Sequence, residues 1–171
     1  DMFKKIAKSL GYKEMDSVIV YGVRNNKPEM INLGDSRLDL FCLEVIDYIF
    51  SESMQKRASQ THQFGKHLIL KIADKHDIIV MKCATNRTKD EEDIVNIVKE
   101  KDIDWNIIIE EIKIQVNLGK ERGYLEMGFL LEKLKNEHKL DIPKEAGDKL
   151  FELLEYQTRE KKQKYDSLES L

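Results

Sequence analysis

The chain has 171 residues, of which 41% are hydrophobic and 36% are charged, and its formal net charge is -3. This composition excludes a disordered or fibrous chain, and it predicts one globular domain, or one domain with a helical extension. Acids and bases are mixed along the chain, so no broad basic surface for nucleic acid is expected, and no apolar run approaches the ~20 residues needed to span a membrane.

The N-terminal part predicts a small antiparallel sheet that follows one helix. Residues 2–10 carry apolar side chains at helical spacing, and residues 17–23 are rich in β-branched residues. Residues 29–33 predict a second, short strand. Residues 37–43 alternate, with Asp39 on the same face as its polar and aromatic neighbours two positions away.

The next segment mixes signals for strand and helix. Residues 43–50 fit either structure. Ser51 is expected to cap a helix that runs from residue 52 to about residue 60. Residues 62–66 predict a loop, and residues 67–72 predict a strand.

The centre of the chain, residues 74–100, predicts two short helices joined by a polar turn. Asp74 is expected to cap the first helix, and Asp77 places an acid where the helix dipole favours one. Thr88 is expected to cap the second helix, with Glu91 at the capping-box position.

The remainder predicts only helices. Asp104 is expected to cap a helix over residues 105–118 that Gly119 ends, a second helix covers residues 124–138, and Pro143 begins the last one. Ala146, Leu150, Phe151 and Leu154 form its expected apolar stripe. Residues 157–171 are polar and are expected to be frayed.

The fold class expected from these elements is α+β, with a small mixed or antiparallel sheet flanked by helices and an all-helical C-terminal half. Residues 1–100 are expected to form the α/β part, residues 101–157 the helical part and residues 158–171 a charged tail. Cys42 and Cys83 lie far apart in apolar runs, which predicts two buried free thiols in a reducing cytoplasm.

Two weaker signals have ordinary structural interpretations that we prefer. His62 and His67 flank a loop without a cysteine or acidic partner nearby, so ordinary surface histidines are favoured over a metal site. The basic cluster of residues 159–164 predicts a solvated tail, and contact with nucleic acid is the alternative.

A charged group follows the first central helix. Lys82 emerges from the apolar run, and Arg87, Asp90 and Asp93 follow within eleven residues. Basic and acidic groups that converge at a helix N-terminus can hold a phosphate, a metal, or each other.

The pattern I-I-V-M-K-x-x-x-x-R-x-K-D-x-x-D-I of residues 78–94 resembles a block of prokaryotic nucleotidyltransferase-like proteins. These are distant relatives of the polymerase-β superfamily that include AbiEii-type toxins and the branch labelled DUF6036. The resemblance extends more weakly to residues 37–41 and 51–58. It implies a nucleoside triphosphate as substrate, Mg²⁺ as cofactor and a nucleotidyltransferase-like fold.

The resemblance also implies roles for five residues, each with a structural alternative. Asp39 matches a catalytic, metal-binding carboxylate, or is an edge-strand aspartate. Lys82 matches the family's lysine, which is catalytic and contacts phosphate. The structural alternative is a helix lysine whose aliphatic stem lies on apolar surface. Arg87, Asp90 and Asp93 match nucleotide-binding positions, whereas the alternative is a pairing of the two acids with Lys82, Arg87 or the helix dipole.

One departure from the family pattern is serious. The Gly-Ser or Gly-Gly turn and the Asp-x-Asp strand that hold metal ions in the superfamily do not occur in the N-terminal half. Residues 102–104 have the Asp-x-Asp spelling but precede a helix, so we discount them. The motif is therefore expected upstream of Asp1, in which case this chain alone is inactive.

Two hypotheses of different classes follow. The first is a nucleotidyltransferase-like protein, with a toxin–antitoxin role implied by the family, that acts on an unknown acceptor and has RNA or a protein as further partner. The second is a non-catalytic scaffold or interaction module that keeps the fold. If the first holds, Asp39, Lys82, and Asp90 or Asp93 are expected to face one cleft.

Overall fold

The computed structural model describes residues 9, 13–15, 28–33, 35–66, 68–85, 87–100 and 102–169. Within these residues the fold is α+β, with three small antiparallel sheets and six helices, as the sequence predicts. The chain divides into two compact units, Asp1–Ile49 and Phe50–Leu171. The helix expected at residues 2–10, apart from Ser9, and the strand expected at residues 17–23 lie outside the described residues.

The first unit contains a three-stranded antiparallel sheet in the order β1-β2-β3. Its strands are β1 (Lys13–Met15), β2 (Glu29–Leu33) and β3 (Ser36–Leu40). Met30 and Ile31 of the central strand are buried. The strands expected at residues 29–33 and 37–43 are thus confirmed, although the second ends at Leu40.

The ambiguous segment after β3 is a small hairpin. Its strands β4 (Glu44–Val45) and β5 (Tyr48–Ile49) pair antiparallel. Ile46, in the turn between them, has a φ of 61°, in the left-handed region that β-branched residues seldom adopt. Cys42 lies in the bend before this hairpin and is exposed, so the expectation that it is buried is wrong, whereas Cys83 is buried as expected.

The second unit begins with helix α1 (Glu52–Arg57), and the predicted Ser51 cap is confirmed because its hydroxyl accepts a hydrogen bond from the Met54 N–H. The helix is shorter than expected. Strand β6 (Gln60–Phe64) follows and pairs with β7 (Leu68–Ile72). The loop expected at residues 62–66 is therefore wrong for residues 62–64, which belong to β6, whereas residues 65 and 66 form a turn. Strand β6 has no apolar alternation from which it could be predicted.

Five helices complete the second unit. They are α2 (Lys75–Cys83), α3 (Thr88–Glu100), α4 (Trp105–Asn117), α5 (Gly123–Asn136) and α6 (Lys144–Glu169). Their largest fully buried apolar side chains form the core of this unit: Ile79, Ile94, Ile108, Ile109, Ile112, Met127 and Leu134. Among the described helices, none combines the length and the apolar character needed to cross a membrane.

The helix boundaries follow local chemistry with two exceptions. Asp74 and Asp104 cap α2 and α4 by accepting hydrogen bonds from backbone N–H groups, as predicted. Thr88 is the first residue of α3 rather than its cap, and Glu91 bonds to His138 instead of closing a capping box.

Helix α6 continues to Glu169, so the fraying expected from residue 157 onward is wrong over the described part. Contacts with Glu121 support this second half of the helix. The Gln157 amide donates to the Glu121 carbonyl at 3.1 Å, and Lys161 Nζ lies 2.7 Å from Glu121. Phe151, expected in the buried stripe, is 62% exposed.

A buried ionic network joins α1, α2 and α4. Arg57 Nη2 lies 2.6 Å from Asp77 Oδ1 and also bonds to Glu111, and neither carboxylate side chain is exposed to solvent. Ser51 and Ser53 donate hydrogen bonds to the two oxygens of Glu111 at 2.7 and 2.5 Å. One guanidinium thus serves two buried carboxylates.

The pKa values of the two carboxyls move in opposite directions. Burial raises the pKa of Asp77 above its ordinary value, and the hydrogen bonds and charge of Arg57 only partly offset this. Burial acts in the same way on Glu111, but hydrogen bonds from Ser53, Ser51 and Arg57 outweigh it and hold the pKa of that carboxyl below its usual value.

We expect Arg57→Ala to lower the free energy of unfolding by about 3–5 kcal/mol, because it leaves two buried carboxylates without their cation. The control is Arg159→Ala, which removes an exposed pair with Glu155 within α6 and should cost less than about 0.5 kcal/mol. Urea denaturation of both variants measures the difference. Equal small losses would show that the network contributes little to stability.

Candidate functional site

The charged group predicted from the sequence forms where α2 ends and α3 begins. The Thr85 N–H bonds back to the Lys82 carbonyl, and the Asp90 N–H bonds to the Arg87 carbonyl. This tight connection folds the first turn of α3 against the last turn of α2. Side chains eight and eleven positions apart in the sequence therefore meet.

Lys82 contacts both aspartates of the pattern. Its Nζ donates to Asp90 Oδ1 at 2.6 Å and to Asp93 Oδ2 at 2.7 Å. The two acceptors differ in exposure, because the Asp90 side chain is 6% exposed and that of Asp93 is 42% exposed. Burial would lower the pKa of Lys82, but the hydrogen bonds to both carboxylates and their charges outweigh it, so that pKa is raised.

Asp90 is the centre of the group. Its Oδ2 accepts from Thr85 Oγ1 at 2.7 Å and from Arg87 Nε at 2.5 Å, while its Oδ1 takes Lys82. Burial would raise the pKa of this carboxyl, but the hydrogen bonds from Lys82, Thr85 and Arg87 outweigh burial and hold the pKa below its usual value. Asp90 is therefore a buried, charged carboxylate with donors on both oxygens.

The structure thus brings four of the five predicted site residues together. Two cations and two carboxylates sum to zero charge. A protonated lysine has three N–H donors, and the two aspartates accept two of them, so one donor direction is left for a further acceptor. The group can present a fixed ammonium to a phosphate oxygen, but it has no net positive charge to attract one from a distance.

Asp39, the fifth predicted residue, lies in the first unit. It is on β3, at the edge of the described sheet, opposite Met30 of β2. Its Oδ1 lies 3.0 Å from Arg37 Nε, and its side chain is 18% exposed. Lys82 belongs to the second unit, so a cleft common to Asp39 and Lys82 stays a prediction.

The residues around Lys82 do not fit a magnesium ion. Mg²⁺ prefers octahedral coordination by oxygen, and both oxygens of Asp90 already accept hydrogen bonds from cationic or hydroxyl donors. Within the described part of this charged group, Asp93 alone offers a half-exposed carboxylate.

A second group of potential ligands lies elsewhere in the same unit. Ligand atoms of Glu91, Glu137 and His138 all lie within 4.8 Å of one another. Lys133 Nζ lies 2.5 Å from Glu91 and already supplies a cation there. The hydrogen bond from His138 and the one from Lys133 lower the pKa of Glu91.

Sequence reasoning missed the polar side chains that fix α2. His76 is buried, its Nε2 accepts the Asp104 N–H at 3.0 Å, and its Nδ1 lies 2.5 Å from Asp74 Oδ1. The histidine therefore links the caps of α2 and α4, with its proton on Nδ1. The available signal was its position two residues before the apolar run that begins at Ile78, and a core histidine explains that signal equally well.

Comparison with known protein families identifies a match over the middle of the chain. Residues 36–139 match a family model described as "Nucleotidyltransferase of unknown function (DUF6036)". The matched segment spans more than half of the chain and includes all five predicted site residues. No curated protein and no solved structure shows significant similarity to the chain.

We expect Asp90→Asn to lower the free energy of unfolding at neutral pH by about 1.5–3 kcal/mol, the range for hydrogen bonds to charged groups. Because the folded pKa of Asp90 is depressed, its contribution is present above the unfolded value and is lost as pH falls through the folded value. The difference between Asp90→Asn and the unaltered chain should therefore shrink as pH falls below about 4. Urea titrations at several pH values measure it, and a difference that does not change with pH would contradict this account.

Proposed function

The chain belongs to the DUF6036 family of nucleotidyltransferases of unknown function, and from this premise we propose that the protein transfers a nucleotide from a nucleoside triphosphate to an acceptor. The observation that carries the proposal is the position of Lys82. Its ammonium is held by Asp90 and Asp93, beside Arg87, inside the segment that matches the family model.

In the proposed reaction, a nucleophilic atom of the acceptor forms a bond to the α-phosphorus. The bond between the α-phosphorus and the bridging oxygen breaks, pyrophosphate leaves with the electron pair, and the acceptor loses its proton to solvent. Negative charge moves onto the phosphate oxygens, so fixed donors near them lower the barrier. Lys82 would supply a point charge and Arg87 a forked donor.

The two aspartates have different proposed roles. Asp90, buried and fully hydrogen-bonded, would hold Lys82 in place as a positioning residue. Asp93 is half-exposed, so a phosphate oxygen could replace it as the partner of Lys82. Asp39 is kept as the proposed metal-binding carboxylate, and Mg²⁺, when bound, would neutralise charge on the triphosphate.

A second candidate is a non-catalytic scaffold or interaction module. The neutrality of the charged group favours this second function. Lys82 and Arg87 are balanced by two carboxylates, and their ion pairs connect α2 to α3 without any ligand. The family resemblance also suggests a toxin–antitoxin role with RNA or a protein as partner. Either candidate function would be compatible with that role.

We expect Lys82→Ala to reduce nucleotide transfer by about a hundredfold or more, the usual cost of removing one donor to developing charge. The measurement is pyrophosphate release from each of the four triphosphates with Mg²⁺, in the presence of total RNA or total protein as acceptor. Lys82→Arg keeps the positive charge and the pairing with the two aspartates. If this variant loses activity while its thermal stability is unchanged, the role of Lys82 in transfer is distinct from its role in folding.

The matched control is Lys99→Ala, an exposed lysine at the other end of α3, which should leave transfer unchanged. If Lys82→Ala retains full turnover, Lys82 is a structural lysine. If the unaltered chain neither binds a triphosphate nor releases pyrophosphate, the scaffold becomes the preferred function.

Asp93→Asn offers an independent test of the phosphate role. It removes the exposed competitor of Lys82 and leaves the group with a net positive charge, so triphosphate should bind several-fold more tightly. Stability should change by less than about 1 kcal/mol, because the lost pair is half-exposed. Isothermal titration calorimetry measures the affinity, and an unchanged or weaker affinity would remove Lys82 from the phosphate site.

A further inference from the structure

An apolar groove of about 540 Å³ runs between α5 and α6, on a part of the second unit that the charged group does not use. Its walls come from both helices and from the loop that joins them. The lining includes Tyr124, Leu125, Phe129, Leu150, Phe151 and Leu154. Nothing in the proposed transfer reaction requires this groove.

Two helical glycines keep the groove open. Gly128 of α5 and Gly147 of α6 both line it, and a Cβ at either position would meet no described atom within 4 Å apart from the neighbouring backbone of its own helix. Glycine in the middle of a helix is destabilising, and here no packing among the described residues requires it. The glycines therefore leave room for something outside the chain to approach the two helix backbones.

Large aromatic side chains stand beside the groove and face solvent. Phe129 is 59% exposed and Phe151 is 62% exposed. The same surface thus carries both a recess and the bulky side chains that fill such a recess. An isologous contact between two copies requires this combination, because one patch must be complementary to itself.

The charges on α6 are also self-complementary. Residues 144–156 contain four carboxylates and two lysines, whereas residues 157–164 contain four basic residues and one glutamate. Two α6 helices that pair antiparallel would place the acidic half of each against the basic half of the other. The rim of the groove is balanced as well, with Glu132 and Asp148 against Lys135 and Lys144.

We propose that the α5–α6 surface is a docking site for a second copy of this chain, with the two α6 helices antiparallel around a two-fold axis near their middle. Phe151 of each copy lies in the contact, and Gly128 and Gly147 let the helix of the other copy approach. The basic cluster of residues 159–164, which the sequence assigns to a solvated tail, then pairs with the acidic half of the other α6.

The area available is sufficient for such a contact. Helices of 14 and 26 residues are about 21 and 39 Å long and about 10 Å across, so their outer faces offer roughly 600 Å² per copy. The total of about 1,200 Å² is at the lower limit of stable, specific interfaces. We therefore expect a dimer that dissociates on dilution.

Sedimentation velocity of the full chain from about 1 µM to about 500 µM tests for this dimer, since small interfaces titrate in this range. We expect Phe151→Glu to weaken association by roughly thirtyfold or more, as for a buried hot-spot aromatic. The matched control is Phe64→Glu, a phenylalanine with 57% exposure on β6, which should leave association unchanged.

Filling the groove gives a second arm. Gly128→Leu replaces a helical glycine at a position where an added Cβ meets no described atom from another part of the chain within 4 Å, so the melting temperature of the monomer should not fall. The variant should nevertheless weaken association by roughly tenfold or more, because the leucine occupies the space that the other copy needs.

A charge exchange identifies the second copy as the partner. In the antiparallel pair, residue 145 of each copy faces residue 162 of the other. Glu145→Lys therefore places two lysines opposite each other at both symmetry-related positions, and Lys162→Glu places two glutamates there. Each variant alone should associate about fivefold more weakly. A mixture of the two variants restores opposite charges at both places and should form a heterodimer.

The full chain remaining monomeric throughout the range would overturn the proposal, and the groove would then serve another protein. Loss of association in Phe64→Glu but not in Phe151→Glu would overturn it too, as would a mixture that fails to recover.

Discussion

The single guanidinium of Arg57 is the constraint on which the helical unit depends. Two carboxylates with no solvent exposure, one from α2 and one from α4, both bond to it. A buried ionised carboxylate is tolerated only when it is paired or fully hydrogen-bonded. Asp77 relies on Arg57 for this, whereas Glu111 also has two serines and Gln115. The position of one side chain on the short helix α1 therefore constrains where the start of α2 lies.

Helix α2 is fixed at both ends by polar contacts on different sides. Near its start, Asp77 and His76 tie it to α1 and to the cap of α4. Near its end, Lys82 ties it to α3. Residues five positions apart on a helix point about 140° away from each other, so these contacts resist rotation as well as translation. A lysine held in this way is pre-organised, which any role in charge stabilisation requires.

Much of this arrangement was predictable because it is local. Ser51, Asp74 and Asp104 cap helices through hydrogen bonds to residues two or three positions away, and the meeting of Lys82 with Asp90 follows from a helix, a tight turn and a helix. The pairs of Arg57 with Asp77 and Glu111 span 20 and 54 residues. No periodicity or spacing within one segment encodes such a pairing.

The other differences between the predicted and the observed elements also arise from tertiary contacts that one segment of sequence does not encode. Strand β6 has no apolar alternation, because all five of its residues are exposed. Phe151 fits the apolar stripe of α6 by spacing, yet it lies on the open side of the helix, where the pattern of one helix cannot distinguish a core from a surface groove. The second half of α6 is highly charged, and its helix is supported by Glu121, a residue of a distant loop.

The neutrality of the Lys82 group and its proposed role in phosphate binding are compatible for a physical reason. The two acceptors of Lys82 are unequal, because Asp90 is buried with donors on both oxygens and Asp93 is half in solvent. Removing Lys82 from Asp90 would leave a buried charge with fewer partners, whereas Asp93 can turn to water at little cost. An incoming phosphate would therefore exchange with Asp93 alone. The proposed site would then remain stable without a ligand and would gain a net positive charge only when Asp93 moves away.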